Sequence, residues 1–353
     1  VAIMPSVTAR PKRLMIPCTG MPIKPEITKH SKWKQELGSG FTRIQDFLEY
    51  VDLPGLYNQS MEHACRQFSF RVTRHFASLI RKGDPHDPLL LQVLPSTAEL
   101  QTHADFSLDP LRDQQAHQGA GILQKYHGRA LLISTAACAI NCRYCFRRHF
   151  PYTSHQAARG KWSGALKTLQ ASPGITEIIL SGGDPLSLSN QRLDDLLIQL
   201  KSIPTLERLR IHTRLPVALP SRVDRGLLRV LGSLEMPLAV VLHVNHANEL
   251  SSELRYALQA LRGINITLLN QSVLLRKVND NLEQQIRLCE ELYASGVLPY
   301  YLHLLDKVAG SMHFEVSKQC ARELHQAMAA RLPGYLLPRL VAEIPGSVSK
   351  VSV

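Results

Sequence analysis

The chain has 353 residues, 44% of them hydrophobic and 20% charged, with a formal net charge of +12. Those proportions describe a globular protein with a sizeable core, and no run of about 18 apolar residues exists to cross a membrane. The seven cysteines, an odd number with three clustered, argue against a disulfide framework and for a reducing compartment.

The opening stretch VAIMPSVTARPKRLMIP lacks the continuous apolar segment and cleavage pattern of a signal peptide, so a cytoplasmic location is expected. Residues 1–30 carry Pro5, Pro11, Pro17, Pro22 and Pro25 among basic and small residues, a composition expected to be flexible. From Lys32 to Ser78 the pattern turns helical. Ile44, Phe47, Leu48 and Val51 recur at helical spacing, as do Phe68, Val72, Phe76 and Leu79. Residues 83–88, GDPHDP, read as a turn-rich linker before the apolar run 89–94.

After Gly121 short apolar strands alternate with amphipathic helices, the rhythm of βα units around a parallel sheet. Strands are expected over 130–135, 177–180, 208–212, 238–244, 267–271 and 300–305. Helices are expected over 194–201, 225–234, 252–262, 282–294 and about 317–331. Six such units make a partial, TIM-like (β/α)6 barrel of the α/β class. The expected organisation is a flexible N-terminus plus helical extension over 1–120, a barrel core over 121–331 and a C-terminal segment over 332–353. The polar signals fall at the C-terminal ends of the expected strands, the face where barrels carry chemistry.

The first of those strand ends opens into Cys138, Cys142 and Cys145, spaced C-x3-C-x2-C. Thiolates suit zinc or an iron–sulfur cluster. A [4Fe–4S] cube ordinarily takes four cysteines, so three would leave one iron open. A zinc knuckle completed by His149 remains an alternative on spacing alone. Cys18, Cys65, Cys289 and Cys320 stand apart and read as small buried hydrophobes. The second strand ends in Ser181-Gly182-Gly183-Asp184, a turn in which glycine lets a ligand approach the backbone. The basic charge is scattered, without a Lys/Arg block or an RNA-binding signature, so a nucleic-acid partner is not expected.

The cysteine spacing and the aromatic residues around Cys145 resemble the signature of radical S-adenosylmethionine enzymes. The stretches KYHGRALLISTAACAINCRYCFRRHF, LSGGDPL, RIHTRLPVALP, HVNHANE, LLNQSVLLRKVND, YYLHLLDKVAGSMHF and GYLLPRLVAEIPGSVSK resemble the lysine 2,3-aminomutase family over about residues 125–350. The similarity is greatest to its short proteobacterial members, which make β-lysine for modification of translation elongation factor P.

The resemblance implies an isomerase with three cofactors: a [4Fe–4S] cluster on Cys138, Cys142 and Cys145, S-adenosylmethionine, and pyridoxal 5′-phosphate. It implies that Ser181, Gly182, Gly183, Asp184, His243 and Gln271 hold S-adenosylmethionine. It places the Schiff-base lysine at Lys350, seven residues after Glu343, and the cofactor phosphate near Arg129, Tyr126 and Lys125. For the substrate L-lysine it implies Arg147 on the carboxylate, with Asp306 and Glu343 on the ε-ammonium. The C-terminal segment would then fold back over the barrel mouth.

Two departures are visible. Pro345-Gly346-Ser347-Val348-Ser349 replaces the glycine run that larger members place before the lysine, and the sequence stops at Val353, before their zinc-binding tail. Asn281 stands where one of those zinc ligands would fall, so no structural zinc is expected, and a homo-oligomer stays open. The ligase that uses β-lysine is the implied downstream partner. An aminomutase for glutamate or arginine, or a metal-containing binding protein, are the alternatives.

Overall fold

The computed structural model describes residues 32–152 and 162–353. The proline-rich stretch 1–30 and Cys18 therefore lie outside the described residues. Residues Lys32–Val353 form one compact unit.

Among the described residues nine strands form a single sheet in chain order, left open between its first and last members. The strands are β1 (Ile122–Tyr126), β2 (Arg129–Thr135), β3 (Glu177–Gly182), β4 (Arg208–Thr213), β5 (Leu238–Leu242), β6 (Thr267–Val273), β7 (Leu298–His303), β8 (Arg339–Ala342) and β9 (Val351–Ser352). From β2 to β8 every neighbouring pair is parallel. β1 and β9 run antiparallel at the two edges. The expected six strands are β2 to β7, and this is the partial barrel anticipated. What was not anticipated is that the C-terminal segment joins the sheet as β8 and β9.

Most crossovers return through a helix that buries an apolar stripe against the sheet, as in Leu193, Leu196, Leu197 and Leu200 of Asn190–Lys201. Polar side chains start these helices. Ser189, Asp224, Ser251, Asn281 and Ser317 each accept a bond from a first-turn backbone N–H, worth about 1 kcal/mol apiece. Asn281 thus has a structural task as the cap of Leu282–Ala294.

The N-terminal extension consists of Lys32–Gly38, Ile44–Tyr50, Gln59–Gln67 and Arg74–Ser78. The second apolar periodicity does not form one helix. At Phe68 the backbone turns extended, Val72 pairs with Phe41 in an isolated bridge, and Thr73 caps a new helix through the Phe76 N–H. Val72 and Phe76 are buried for two different local reasons, and Phe68 is only half-buried. Cys320 departs from its expectation too: it is exposed, in the first turn of Lys318–Ala329, whereas Cys289 is buried.

The extension is locked to the cysteine loop by a buried triad. Glu99 accepts from Arg143 and from Arg148, each at 2.6 Å, and all three side chains are fully enclosed. Burial pushes the Glu99 carboxyl up, but the hydrogen bonds and charge of the two arginines prevail and hold it below its ordinary range. Glu99→Ala strands two buried guanidinium groups, so a loss of about 3–5 kcal/mol is expected in chemical denaturation. A loss below about 1 kcal/mol would show the triad to be dispensable.

Candidate active site

The strand ends surround one cavity of about 1340 Å³. Cys138, Cys142 and Cys145 line it from the loop after β2, while Asp306, Glu343 and Lys350 line it from β7 and beyond. The hairpin formed by β8 and β9 is what carries Lys350 there, since β9 returns alongside β8 and leaves Glu343 and Lys350 on the same side.

No disulfide joins the three cysteines. Burial raises the Cys138 thiol, and the nearby Asp184, Cys145 and Cys142 raise it further. Cys145 is pushed up to about 11 by burial and by Cys142. Three half-buried thiols on one short loop, free of disulfides and lining the cavity, are a donor set that suits a metal centre, so the residues fit a cluster. His149, the alternative fourth ligand, is engaged by the Ala309 carbonyl at 3.1 Å.

The Ser181–Asp184 turn does not present free N–H groups to a ligand. Gly183 and Asp184 donate to the Thr135 and Ala137 carbonyls, at 2.7 and 2.8 Å, so the turn is clamped onto the cysteine loop. A Cβ at Gly183 would sit 2.6 Å from backbone atoms of Ala136 and Ala137, and Gly182 has φ +108°, so both positions require glycine. The Asp184 carboxylate is likewise saturated, accepting from Leu186 N, Thr213 Oγ1, Arg214 N and Leu215 N. These bonds shape the site, and Ser181, Gly182, Gly183 and Asp184 all line the cavity.

His243 and Gln271 come together, with Gln271 Nε2 at 2.8 Å from His243 Nε2. Burial, aided by the charges of Arg214, Lys350 and Arg147, pushes His243 down to about 3, so its ring is neutral.

The charged residues form a chain along the cavity wall. Arg147 binds Asp113 through Nε at 2.8 Å and Ser181 Oγ at 3.1 Å. Asp113 binds Lys125 at 2.6 Å, Lys125 reaches Glu343 at 3.2 Å, and Glu343 binds Lys350 at 2.7 Å. Burial alone would raise Glu343, but Lys350 and Lys125 bring it down to about 2. Asp306 has no such partner. Burial and the charge of Glu343 push it up to about 7.

Arg129 lies over the Tyr126 ring at 4.9 Å, and its buried Nε has no protein acceptor. Arg129 lines the cavity together with Lys350, and a guanidinium there suits an anion, so the site fits a phosphate-bearing cofactor. The Lys350 ammonium lies 5.6 Å from the Tyr301 ring centroid.

Asp113, Tyr301, Gln92 and Glu249 escaped sequence reasoning. Asp113 sits in a polar stretch with no periodicity; the only signal for Glu249 was its place in HVNHANE.

A partial parallel barrel whose first parallel strand delivers a three-cysteine loop to the cavity is the arrangement that the resemblance to radical S-adenosylmethionine enzymes implies. No family model matches the chain. Curated relatives do. The L-lysine 2,3-aminomutase of Escherichia coli (strain K12) is 47% identical over 287 residues, covering 81% of this chain and 84% of that one. That of Haemophilus influenzae is 41% identical, covering 94% and 98%. That of Clostridium subterminale is 30% identical, covering 91% and 77%. The chain belongs to the L-lysine 2,3-aminomutase family, and it is an isomerase.

Proposed function

We propose that the protein converts L-lysine to β-lysine by moving the amino group between adjacent carbons, using a [4Fe–4S] cluster, S-adenosylmethionine and pyridoxal 5′-phosphate. One observation carries the proposal. A single cavity holds three cysteines free of disulfides on one wall and, on another, a lysine paired with Glu343 near the half-buried Asp306.

Cys138, Cys142 and Cys145 would hold the cluster. When bound, cluster and S-adenosylmethionine supply a carbon radical, while pyridoxal phosphate supplies a carbonyl and a conjugated ring over which an unpaired electron spreads. His243 and Gln271 serve the S-adenosylmethionine side as neutral hydrogen-bonding groups. Lys350 is the covalent anchor for pyridoxal phosphate, with Arg129, Tyr126 and Lys125 around the phosphate. Arg147, fixed by Asp113 with part of its fork still free, receives the substrate carboxylate. Glu343 already binds the ammonium of Lys350. With Asp306 it offers the place where the substrate's ε-ammonium belongs. Glutamate would add a third carboxylate to these two, which burial makes unfavourable. The similarity to short proteobacterial members extends the proposal to a role for the product: substrate for a ligase that modifies elongation factor P.

Borohydride reduction followed by peptide mass spectrometry tests the anchor. The pyridoxyl group is expected on the peptide carrying Lys350, and truncation after Gly346 should remove it while sparing the iron–sulfur colour. Its recovery on Lys125, the other amine beside Glu343, would overturn the assignment.

A further inference from the structure

Arg214, at the end of β4, belongs to none of the roles above, yet its guanidinium reaches a sulfur of the cysteine loop. Its Nη1 donates to Cys142 Sγ at 2.7 Å and to the Tyr144 hydroxyl. Nη2 donates to Gln92 Oε1 at 2.7 Å and Glu249 Oε2 at 3.0 Å. Its backbone N–H is fixed by Asp184 at 2.7 Å. The guanidinium also lies over the Phe76 and Tyr144 rings, with centroids at 5.3 and 5.7 Å. Only 7% of Arg214 is exposed, and Gln92 and Glu249 are fully enclosed.

The supports are themselves supported. Glu249 Oε1 accepts from Gln92 Nε2, Asn245 N and His246 N, while Asn245 Nδ2 donates to Tyr144 Oη at 2.6 Å. Residues of the N-terminal extension, of the cysteine loop and of the turn after β5 thus converge on one guanidinium. An arginine so restrained has one direction in which to act, and that direction is the Cys142 sulfur. A salt bridge built for stability alone would need only Glu249. The further N–H aimed at a sulfur is what distinguishes this arrangement from a buried ion pair.

We infer that Arg214 is a positioning residue for the iron–sulfur cluster, donating a charge-assisted hydrogen bond to the sulfur of Cys142 and thereby raising the cluster's reduction potential. The inference rests on the cluster assignment made above. Donors to cluster sulfurs and nearby positive charge favour the reduced, more electron-rich state, and mutation of such outer partners typically costs about 10–100-fold in metal affinity or activity. Glu249 sets the strength of the effect, because it offsets the arginine's charge from the far side.

The test is an anaerobic redox titration of reconstituted protein, followed by electron paramagnetic resonance, with iron content measured on the same samples. In Arg214→Gln the potential should fall, so that the reduced-to-oxidised ratio at the wild-type midpoint drops about tenfold. In Glu249→Gln, which frees the guanidinium of its counter-charge, the ratio should rise. Shifts in opposite directions are a signature that loosened packing would not give. An Arg214→Gln protein with full iron content and an unchanged midpoint would overturn the inference. If that variant takes up no iron, Glu249→Gln decides alone: a raised midpoint supports the inference and an unchanged one overturns it. Wild-type protein that binds no iron would sink the cluster assignment itself, and this inference with it.

Discussion

Cys142→Ala is expected to abolish aminomutase activity and S-adenosylmethionine cleavage while leaving the protein folded. The side chain is half-buried at the edge of the core, so the substitution removes one sulfur from packing that otherwise persists. Arg214 keeps Tyr144, Gln92 and Glu249 when that sulfur goes. Stability should therefore fall by no more than about 1–2 kcal/mol. Activity should fall by more than about a thousandfold, over 4 kcal/mol in barrier terms, because two thiolates cannot retain a cluster that three cysteines ligate. Iron content and visible absorbance report the first consequence, and deoxyadenosine release reports the second. Retained deoxyadenosine production would remove Cys142 from the site.

Asp306→Asn should separate stability from function. The Asp306 carboxyl is raised to about 7 by burial and by the neighbouring Glu343, above the ordinary value it regains on unfolding. Between pH 4 and 7 the unfolded chain therefore gives up a proton that the folded protein keeps, and folding stability declines as pH rises through that window. Asparagine does not titrate. The variant without bound ligands should thus melt higher than wild type at pH 8, by a few kcal/mol, with the gain vanishing towards pH 4. Lysine turnover should move the other way, with kcat/KM down at least about a hundredfold, or about 3 kcal/mol, once one of the two acids facing the ε-ammonium is neutral. Both cofactors should still bind. A variant no more stable at pH 8, or one that turns lysine over normally, would show that Asp306 is not the strained acid of an ammonium site.

The six central strands were legible because β2 to β7 each carry buried apolar residues at strand spacing and end in turn residues. The cysteine loop was legible from its spacing. β1 was not, since ILQKY mixes apolar and polar residues at a sheet edge, and β8 was hidden because RLVA is four residues long. The Phe68–Phe76 spacing imitated a helix while bridging two. The place of Lys350 in the cavity came through the resemblance alone, since three residues from the last one in the sequence it looks like a solvated side chain. The supports of the site were the least visible part. Asp113, which fixes Arg147 and Lys125, and Gln92 and Glu249, which hold Arg214, gain their meaning from contacts spanning at least 34 positions of sequence, except for Asp113–Lys125. The glycines of the SGGD turn were noticed for a ligand's approach, whereas the cysteine-loop backbone is what approaches them.

The most direct test of the central claim is anaerobic incubation of the reconstituted protein with isotopically labelled L-lysine, S-adenosylmethionine, pyridoxal phosphate and dithionite, with labelled arginine and glutamate in parallel and the products resolved by chromatography. The account predicts β-lysine from lysine, dependent on each cofactor, and almost no product from glutamate. Efficient conversion of glutamate, or no β-lysine from protein that holds its full complement of iron and pyridoxal phosphate, would contradict it.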